Sequence, residues 1–317
     1  MPLPVAHAFE DVPRADAPVA LAVGVFDGVH RGHQAVLAEA RRCAAEAGGT
    51  AWALTFEPHP RQLLHPGGAP ERITPPDLKR EALAAQGIRG VIELPFSTEL
   101  AAMKAEEFVA RMAERLPKLC AVAVGSNWRF GYHARGSIAT LEACAQTHGF
   151  AVAAVDPVLH DGAPISSTRV RAALRHGHME EAHALLGRPF ALRGPVGHGR
   201  AIGRTLGYPT ANIDALSNRL HPPHGVYAVR VDIAGGAAGI PAGAYIGRRP
   251  TFGLENHPAL EVYLLDFNGD LYGATLTVHF LSRLRSDQTF PDAESLKRQI
   301  ADDLARARMM HAAPRGL

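Results

Sequence analysis

Apolar and polar positions alternate in two different ways along this chain of 317 residues, and the pattern changes near its middle. In the first part, short apolar runs bounded by turn residues alternate with segments whose apolar residues recur every three or four positions. Such runs are typical of buried strands, and such spacings are typical of helices. Strands that alternate with helices predict a parallel sheet of the α/β class, similar to a Rossmann fold.

The predicted elements of this part follow one another regularly. Strands are predicted at residues 19–26, 51–56, 91–94, 121–124 and 151–155. Helices are predicted at residues 34–47, 108–116, 138–148 and 170–186. Gly187-Arg188-Pro189 breaks the last helix, so we place a domain boundary there, with a first domain at 1–186 and a second at 187–317.

The second part changes to a period of two. Alternate residues are apolar at 225–231, 260–264 and 276–280, a pattern that predicts antiparallel strands and a small β-barrel. Residues 234–243 are rich in Gly and Ala and predict a loop. A closing helix is predicted at 293–310, with Asp292 as its N-cap and a buried stripe. The stripe consists of Leu296, Ile300 and Leu304.

Composition excludes several classes of protein. Hydrophobic residues make up 47% of the chain and the net charge is +2, so no global basic field argues for nucleic acid or an acidic membrane. No apolar run reaches about 18 residues, and the N-terminus lacks the pattern of a signal peptide. The three cysteines, Cys43, Cys120 and Cys144, are too few and too widely spaced for a disulfide framework or a zinc site. We therefore expect a cytoplasmic protein.

The first predicted strand runs directly into a glycine-bearing turn that opens a helix. The turn reads Gly24-Val25-Phe26-Asp27-Gly28-Val29-His30-Arg31-Gly32-His33. Backbone N–H groups at such a turn attract anions, and the two histidines can stabilise charge on a phosphoryl group. The alternative is a helix start with two incidental surface histidines.

This turn resembles the HxGH signature of nucleotidyltransferases, and the run GVFDGVHRGHQ resembles the FMN adenylyltransferase module of bacterial FAD synthetases. Segments 55–60, 124–131 and 165–171 resemble later motifs of that family, in the same order. Trp128 stands where phenylalanine is usual. The resemblance implies transfer of an adenylyl group from ATP to FMN.

The resemblance also implies roles for individual residues. His30 and His33 would contact the ATP phosphates, Asn127 would hold a nucleotide or flavin phosphate, and Mg²⁺ would bridge the phosphates. The remaining predicted phosphate-binding residues are Gly24, Phe26, Asp27 and Gly28 in the turn, and Ser167, Thr168 and Arg171 for pyrophosphate. Ser167 and Thr168 can instead be helix caps, and Asn127 a turn residue. His59, between two prolines, is interpreted as part of a rigid turn.

A second glycine-rich segment, 194–204, opens the second part of the chain. It lacks the Gly-Lys-Ser/Thr of a Walker A motif, and its GxGxxxG spacing does not fit a dinucleotide fingerprint. A glycine loop beside arginines suits a polyphosphate. The residues concerned are Gly199, Arg200, Gly203 and Arg204.

This segment and the following Pro209-Thr210-Ala211-Asn212 resemble the riboflavin kinase family, and the resemblance extends over residues 187–304. It implies that Thr210 and Asn212 bind the Mg²⁺ of Mg-ATP and that Glu261 is the general base. Without the resemblance, Glu261 is more simply a solvent-facing strand residue, and Thr210 and Asn212 are turn residues. Tyr245 replaces a small polar residue of the family, and Asp287 stands where glutamate is common.

Together the resemblances predict a bifunctional enzyme that converts riboflavin to FMN and then FMN to FAD, with ATP as co-substrate in both steps. Two alternatives remain at this stage. One is a single-activity enzyme in which one domain is altered, and the other is a flavin or nucleotide sensor without turnover. The sequence predicts small-molecule substrates, no nucleic acid and no membrane, and it gives no oligomeric state.

Overall fold

The computed structural model describes residues 3–12, 17–116, 118–197, 208–214, 216, 219–248 and 258–312. By their contacts they divide into two compact units, Met1–Ser167 and Thr168–Leu317. The assignment of functional domains to 1–186 and 187–317 stays a prediction.

A parallel sheet of six strands forms the centre of the first unit, in the order β1-β4-β3-β2-β5-β6. Its strands are β1 (Val5–Ala6), β2 (Val19–Val23), β3 (Thr50–Glu57), β4 (Gly90–Pro95), β5 (Leu119–Gly125) and β6 (Ala151–Val155). All the paired strands run parallel, which confirms the predicted α/β class. The edge strand β1 was not predicted, because two residues are too few to show a period.

Helices cover both faces of this sheet. They are α1 (Arg31–Glu46), α2 (Pro60–Leu64), α3 (Pro76–Ala85), α4 (Thr98–Ala102), α5 (Ala105–Arg115) and α6 (Ile138–His148). Along β2, Ala20 packs into the core that contains Leu37 of α1, whereas Leu21 packs into the core that contains Phe108 of α5. Because both faces are buried, the strand reads as a continuous apolar run.

Two short strands, β7 (Leu159–His160) and β8 (Ala163–Pro164), lead to the helices α7 (Ser167–His176) and α8 (Met179–Leu186). The single helix predicted over 170–186 is therefore wrong. Gly177 lies between the two helices with φ 75°, a left-handed conformation that ends a helix. α8 then packs against the barrel strands that follow.

Six antiparallel strands of the second unit close into a barrel, in the order β10-β13-β12-β11-β14-β9, and this confirms the predicted barrel. They are β9 (Phe190–Gly197), β10 (Ala211–Ile213), β11 (Gly225–Ile233), β12 (Ile240–Arg248), β13 (Pro258–Leu264) and β14 (Thr275–Ser286). The loop predicted over 234–243 is wrong in its second half, since β12 begins at Ile240.

The closing helix α9 (Ala293–Ala312) packs against β11, β12 and β14. Asp292 caps it as predicted, since its Oδ1 accepts a hydrogen bond from the Ser295 N–H over 2.7 Å. The predicted stripe is only half-buried, and the fully buried positions of the helix are Asp303 and Ala307. Asp303 is buried because it binds Arg285 of β14, with Nε–Oδ2 at 2.9 Å.

Candidate functional sites

The turn between β2 and α1 has a strained backbone that buried side chains hold in place. Phe26 and Val29 have φ values of 52° and 42°, a left-handed region that a β-branched residue such as valine rarely enters. Both side chains are completely buried. Residues persist in such conformations only where the surrounding packing over-determines them, so the turn is rigid before any ligand binds.

The two histidines of the turn are oriented by each other. His30 is the N-cap of α1, and its Nδ1 accepts a hydrogen bond from the backbone N–H of His33 over 3.2 Å. The two imidazole rings are stacked, with 3.6 Å between centroids and 15° between planes. Because Nδ1 of His30 is an acceptor, the neutral ring carries its proton on Nε2.

Gly32 makes this arrangement possible. A Cβ atom at position 32 would lie 3.2 Å from two atoms of the His30 ring and 3.4 Å from the carbonyl oxygen of Ile165. A side chain there would displace the ring of His30. The glycine within the HxGH element thus leaves room for the imidazole ring of the first histidine.

Asp27 links the turn to a distant segment. Its buried carboxylate accepts hydrogen bonds from the N–H groups of Ile73 and Thr74, at 3.0 and 3.2 Å from Oδ1. Its backbone carbonyl accepts a hydrogen bond from Oγ of Ser167 over 2.9 Å. The hydrogen bonds of the Asp27 carboxylate thus fix the turn against the segment at residues 73–74. The part of Asp27 in ATP binding stays a prediction.

A cavity of about 1210 Å³ opens at the carboxyl ends of the central strands, and both histidines line it. Its lining includes several basic side chains: His30, His33, His59, Arg61, His65, Arg129 and His133. Asp156 is the one carboxylate among the described lining residues. This lining favours a ligand with several negative charges.

The cavity lining also includes aromatic side chains. Trp128 stacks on Phe130 with 4.2 Å between ring centroids and 9° between planes. Phe130 contacts Phe108, which in turn contacts Phe56, with centroid distances of 6.3 and 6.5 Å. Stacked rings suit a flat aromatic ligand. One cavity is therefore lined by both basic side chains and aromatic rings.

Asn127 lies just after the end of β5, next to Trp128 in the chain. Its side chain is exposed and lines the cavity, and its Oδ1 lies 3.3 Å from where a Cβ atom of residue 125 would be. Gly125 thus allows the amide to fold back over the end of β5. This position agrees with contact to a ligand in the cavity.

A partly buried set of ion pairs holds the segment between β3 and α3, which supplies His59, Arg61 and His65 to the cavity lining. Glu57 forms ion pairs with Arg72 and with Lys79, whose Nζ lies 3.8 Å from Glu57 Oε2. Burial lowers the pKa of Lys79. Next to it, Arg80 binds both carboxylate oxygens of Glu93, at 2.9 and 2.6 Å.

In the barrel unit, three predicted residues meet on neighbouring strands. Glu261 of β13 is the cross-strand partner of Asn212 of β10. The hydroxyl of Thr210 donates a hydrogen bond to Oε2 of Glu261 over 3.4 Å. Leu260 and Val262 on either side of Glu261 are completely buried, so Glu261 faces outward from the barrel. Oxygen-bearing side chains are thus gathered at one point of its outer surface.

Comparisons with known proteins match both parts of the chain. The profile of the FAD synthetase family matches residues 12–169, and that of the riboflavin kinase family matches residues 186–311. The bifunctional riboflavin kinase/FMN adenylyltransferase of Pseudomonas fluorescens is 43% identical to this chain, over 92% of each protein. That of Escherichia coli K12 is 37% identical, over 91% of each.

This chain belongs to the bifunctional riboflavin kinase/FMN adenylyltransferase family. A solved structure from Streptococcus pneumoniae, named as a macrolide-efflux protein, has the same fold as this family member. It matches with a TM-score of 0.87 and 31% identity, over 97% of this chain and 99% of that one. The name macrolide-efflux protein applies to that protein, and the similarity shows that the two chains share a fold.

Apart from Glu261, Thr210 and Asn212 of the barrel site and Asp27 and Gly28 of the turn, the predicted residues of this family member fall into three groups. The structure brings His30, His33, Asn127 and Ser167 together in the lining of one cavity, with Gly24 and Phe26 of the turn. Thr168 and Arg171 lie on α7 in the second compact unit, and Arg171 is buried. Gly199, Arg200, Gly203 and Arg204 lie outside the described residues.

Sequence reasoning missed the contribution of the segment after β3. His59, interpreted as a rigid turn, is the N-cap of α2, and its Nδ1 accepts a hydrogen bond from the Arg61 N–H over 3.1 Å. His59, Arg61 and His65 nevertheless all line the cavity. The sequence does show a signal, since these three basic residues fall within seven positions next to a motif of the family.

Proposed function

We propose that this chain phosphorylates riboflavin with ATP in its barrel domain and then adenylylates the resulting FMN to FAD in its α/β domain, with release of pyrophosphate. The observation that carries the second step is that one cavity is lined both by basic side chains, among them His30 and His33 at the start of α1, and by the aromatic ring of Trp128. FMN and ATP together present phosphates and flat aromatic rings, which are the groups that such side chains bind.

In the adenylyl transfer, an oxygen of the FMN phosphate attacks the α-phosphorus of ATP. The bond from that phosphorus to the bridging oxygen breaks, and pyrophosphate leaves with the electron pair. His30 and His33 donate hydrogen bonds to phosphate oxygens as charge shifts toward the leaving group. Ser167, Thr168 and Arg171 are proposed to hold the pyrophosphate. Catalysis then consists mostly of alignment and charge neutralisation.

In the kinase step, Glu261 accepts the proton of the ribityl 5′-hydroxyl while that oxygen attacks the γ-phosphorus of ATP. ADP is the leaving group. Thr210 fixes one carboxylate oxygen of Glu261 by its hydrogen bond, so the base is oriented before the flavin binds. Gly199, Arg200, Gly203 and Arg204 are proposed to surround the polyphosphate.

A magnesium ion is the metal that we propose for both steps. The donors near Glu261 are a hydroxyl on Thr210 and a side-chain amide on Asn212, and hard cations prefer such oxygen ligands. Among the described residues, no cluster of three or more His, Cys, Asp or Glu could hold a metal by itself. Mg²⁺ usually binds through few protein groups and through the substrate phosphates, and there it neutralises phosphate charge.

We also propose a cytoplasmic location, where riboflavin meets the ATP pool. The three cysteines are free thiols, which suits a reducing compartment. In the part of the chain that the structure describes, no helix is long and apolar enough to cross a bilayer. The substrates we assign are ATP, riboflavin and FMN.

The experiment that tests the proposal is a chromatographic time course of the purified protein with riboflavin, ATP and Mg²⁺. We expect FMN to appear first and FAD to follow. FMN alone would leave a single-activity kinase, and conversion of supplied FMN alone would leave a single-activity adenylyltransferase. Binding of flavin without any product would instead support the sensor.

A further inference from the structure

The side chain of Tyr245 lies flat along the outer face of β12. A Cβ atom at position 247 would lie only 2.1 Å from Cζ and from Oη of Tyr245, closer than real Cβ atoms come to other atoms. The cross-strand partner of Gly247 on β13 is Ala259. The ring therefore occupies the space above a glycine that is paired with an alanine.

The hydroxyl at the far end of this ring is held by a second element. It donates a hydrogen bond to Oδ1 of Asp287, directly after β14, over 3.1 Å. Burial, and after it the charge and hydrogen bond of the Asp287 carboxylate, together raise the pKa of Tyr245 to about 12. The phenol therefore keeps its proton at neutral pH and can donate this hydrogen bond. The side chain thus bridges β12 and the connection that follows β14.

The position of the ring relative to Glu261 follows from the strand register. Tyr245 is the direct cross-strand partner of Glu261, and cross-strand Cβ atoms are about 4.5–5.5 Å apart. Thr210 approaches Glu261 from the Val262 side, since Ala211 pairs with Val262. The tyrosine ring lies on the other side, towards Ala259. Along the direction of β13, Thr210 and the ring of Tyr245 therefore lie on opposite sides of Glu261.

A substrate hydroxyl that gives its proton to Glu261 must come within about 2.6–3.2 Å of the carboxylate. Among the described residues, two sets of side chains flank the carbons that carry this hydroxyl. Thr210 and Asn212 are on the side assigned to the metal and phosphates, which leaves the side of Tyr245 for the rest of the chain that bears the hydroxyl.

We propose that Tyr245 is a specificity-determining residue of the kinase site, whose ring, held by Asp287, is the wall against which the polyol chain of the flavin lies. The inference rests on the proposed kinase reaction. The wall limits the conformers that bring the terminal hydroxyl to Glu261, and it therefore favours the ribityl chain over chains of other configuration.

The test compares kcat/KM for riboflavin and for the analogue with a D-arabityl chain, using the full chain, ATP and Mg²⁺. We expect wild type to prefer riboflavin and Tyr245→Ala to reduce that preference about tenfold, which is the lower range of discrimination that a fitted apolar pocket provides. Tyr245→Phe, which keeps the ring and loses the hydrogen bond to Asp287, should fall between them.

Gly247→Ala provides an independent test that keeps the tyrosine at position 245 and changes only the position of its ring. The atoms that an added Cβ meets are the end of a side chain and not backbone. We therefore expect the ring to move and the fold to persist, with the same loss of preference. Phosphorylation of riboflavin by each variant shows that its barrel unit is folded.

An unchanged preference in both Tyr245→Ala and Gly247→Ala would overturn the inference while leaving the kinase reaction intact. A wild-type chain that does not phosphorylate riboflavin would instead overturn the proposed function. The two failures are distinguishable because the first is measured as a ratio between two substrates and the second as absence of product.

Discussion

The hydroxyl of Ser167 donates a hydrogen bond to the backbone carbonyl of Asp27 across 2.9 Å. These residues come from two motifs that are 140 positions apart in the chain, the histidine turn and the segment that opens α7. The contact joins the two motifs at one edge of the cavity. The hydroxyl that we propose to hold the leaving pyrophosphate is therefore joined by this hydrogen bond to the turn that carries the histidines.

Ser167→Ala should lower kcat/KM for FMN adenylylation by about three- to tenfold, the effect of one neutral hydrogen bond. Ser167→Thr keeps a hydroxyl and is the matched control. The measurement is FAD formation from supplied FMN, with riboflavin phosphorylation followed in parallel. Equal adenylylation rates in wild type and Ser167→Ala would contradict the assignment.

His33→Ala should reduce FMN adenylylation by about a hundred- to a thousandfold, the usual cost of removing one preorganised donor to developing charge. FMN formation from riboflavin should be unchanged. Loss of the kinase reaction in place of adenylylation would show that the two activities are assigned to the wrong domains.

Glu261→Gln should produce the opposite result. The amide keeps the shape of the carboxylate but cannot accept the substrate proton, so FMN formation should fall by about two to four orders of magnitude. Adenylylation of supplied FMN should persist, and an unchanged circular dichroism spectrum and thermal unfolding of the variant are the controls for folding of the barrel. A kinase rate equal to that of wild type would remove Glu261 as the general base.

Asp27→Ala should destabilise the first unit, because the N–H groups of Ile73 and Thr74 lose a buried acceptor. We expect a loss of about 1–3 kcal/mol in the free energy of unfolding. Asp27→Asn keeps one acceptor oxygen and should lose less. Urea unfolding of the three proteins gives the comparison, and equal stability of wild type and Asp27→Ala would show that the contact contributes nothing.

Lys79 predicts a pH dependence of stability. Burial lowers its pKa in the folded chain, so between that lowered value and the ordinary lysine value of about 10.4 the unfolded chain binds more protons than the folded one. The free energy of unfolding contributed by this group therefore rises as the pH rises toward that value. Lys79→Met should remove this rise when urea unfolding is compared at neutral and alkaline pH. An identical pH profile in the variant would show that Lys79 is not the group responsible.

The sequence predicted the fold class and the main strands because long apolar runs and period-two segments leave a strong pattern. β12 escaped prediction for a physical reason. Its glycine at position 243 faces α9, where an added Cβ would lie 2.8 Å from Cδ2 of Leu304. A strand that must admit a helix this closely needs small residues, and small residues resemble those of a loop.

The two sites differ in how much the sequence alone could predict. The histidine turn was identified from local spacing, because a strand, a glycine turn and a helix start lie next to one another in the chain. The part played by Lys79 and Glu57 was not predictable in this way, because their ion pair joins residues from separate elements. Motifs indicate the groups that act on substrate, whereas the groups that support them depend on the tertiary fold.

The ring of Tyr245 over Gly247 also constrains the order in which this site can have arisen. Any side chain at position 247 meets the ring, so a glycine there had to precede or accompany the tyrosine at 245 for the ring to adopt this position. The reverse path is restricted in the same way. While Tyr245 is present, position 247 cannot drift without moving the ring, and the two positions should therefore change together among descendants of this sequence.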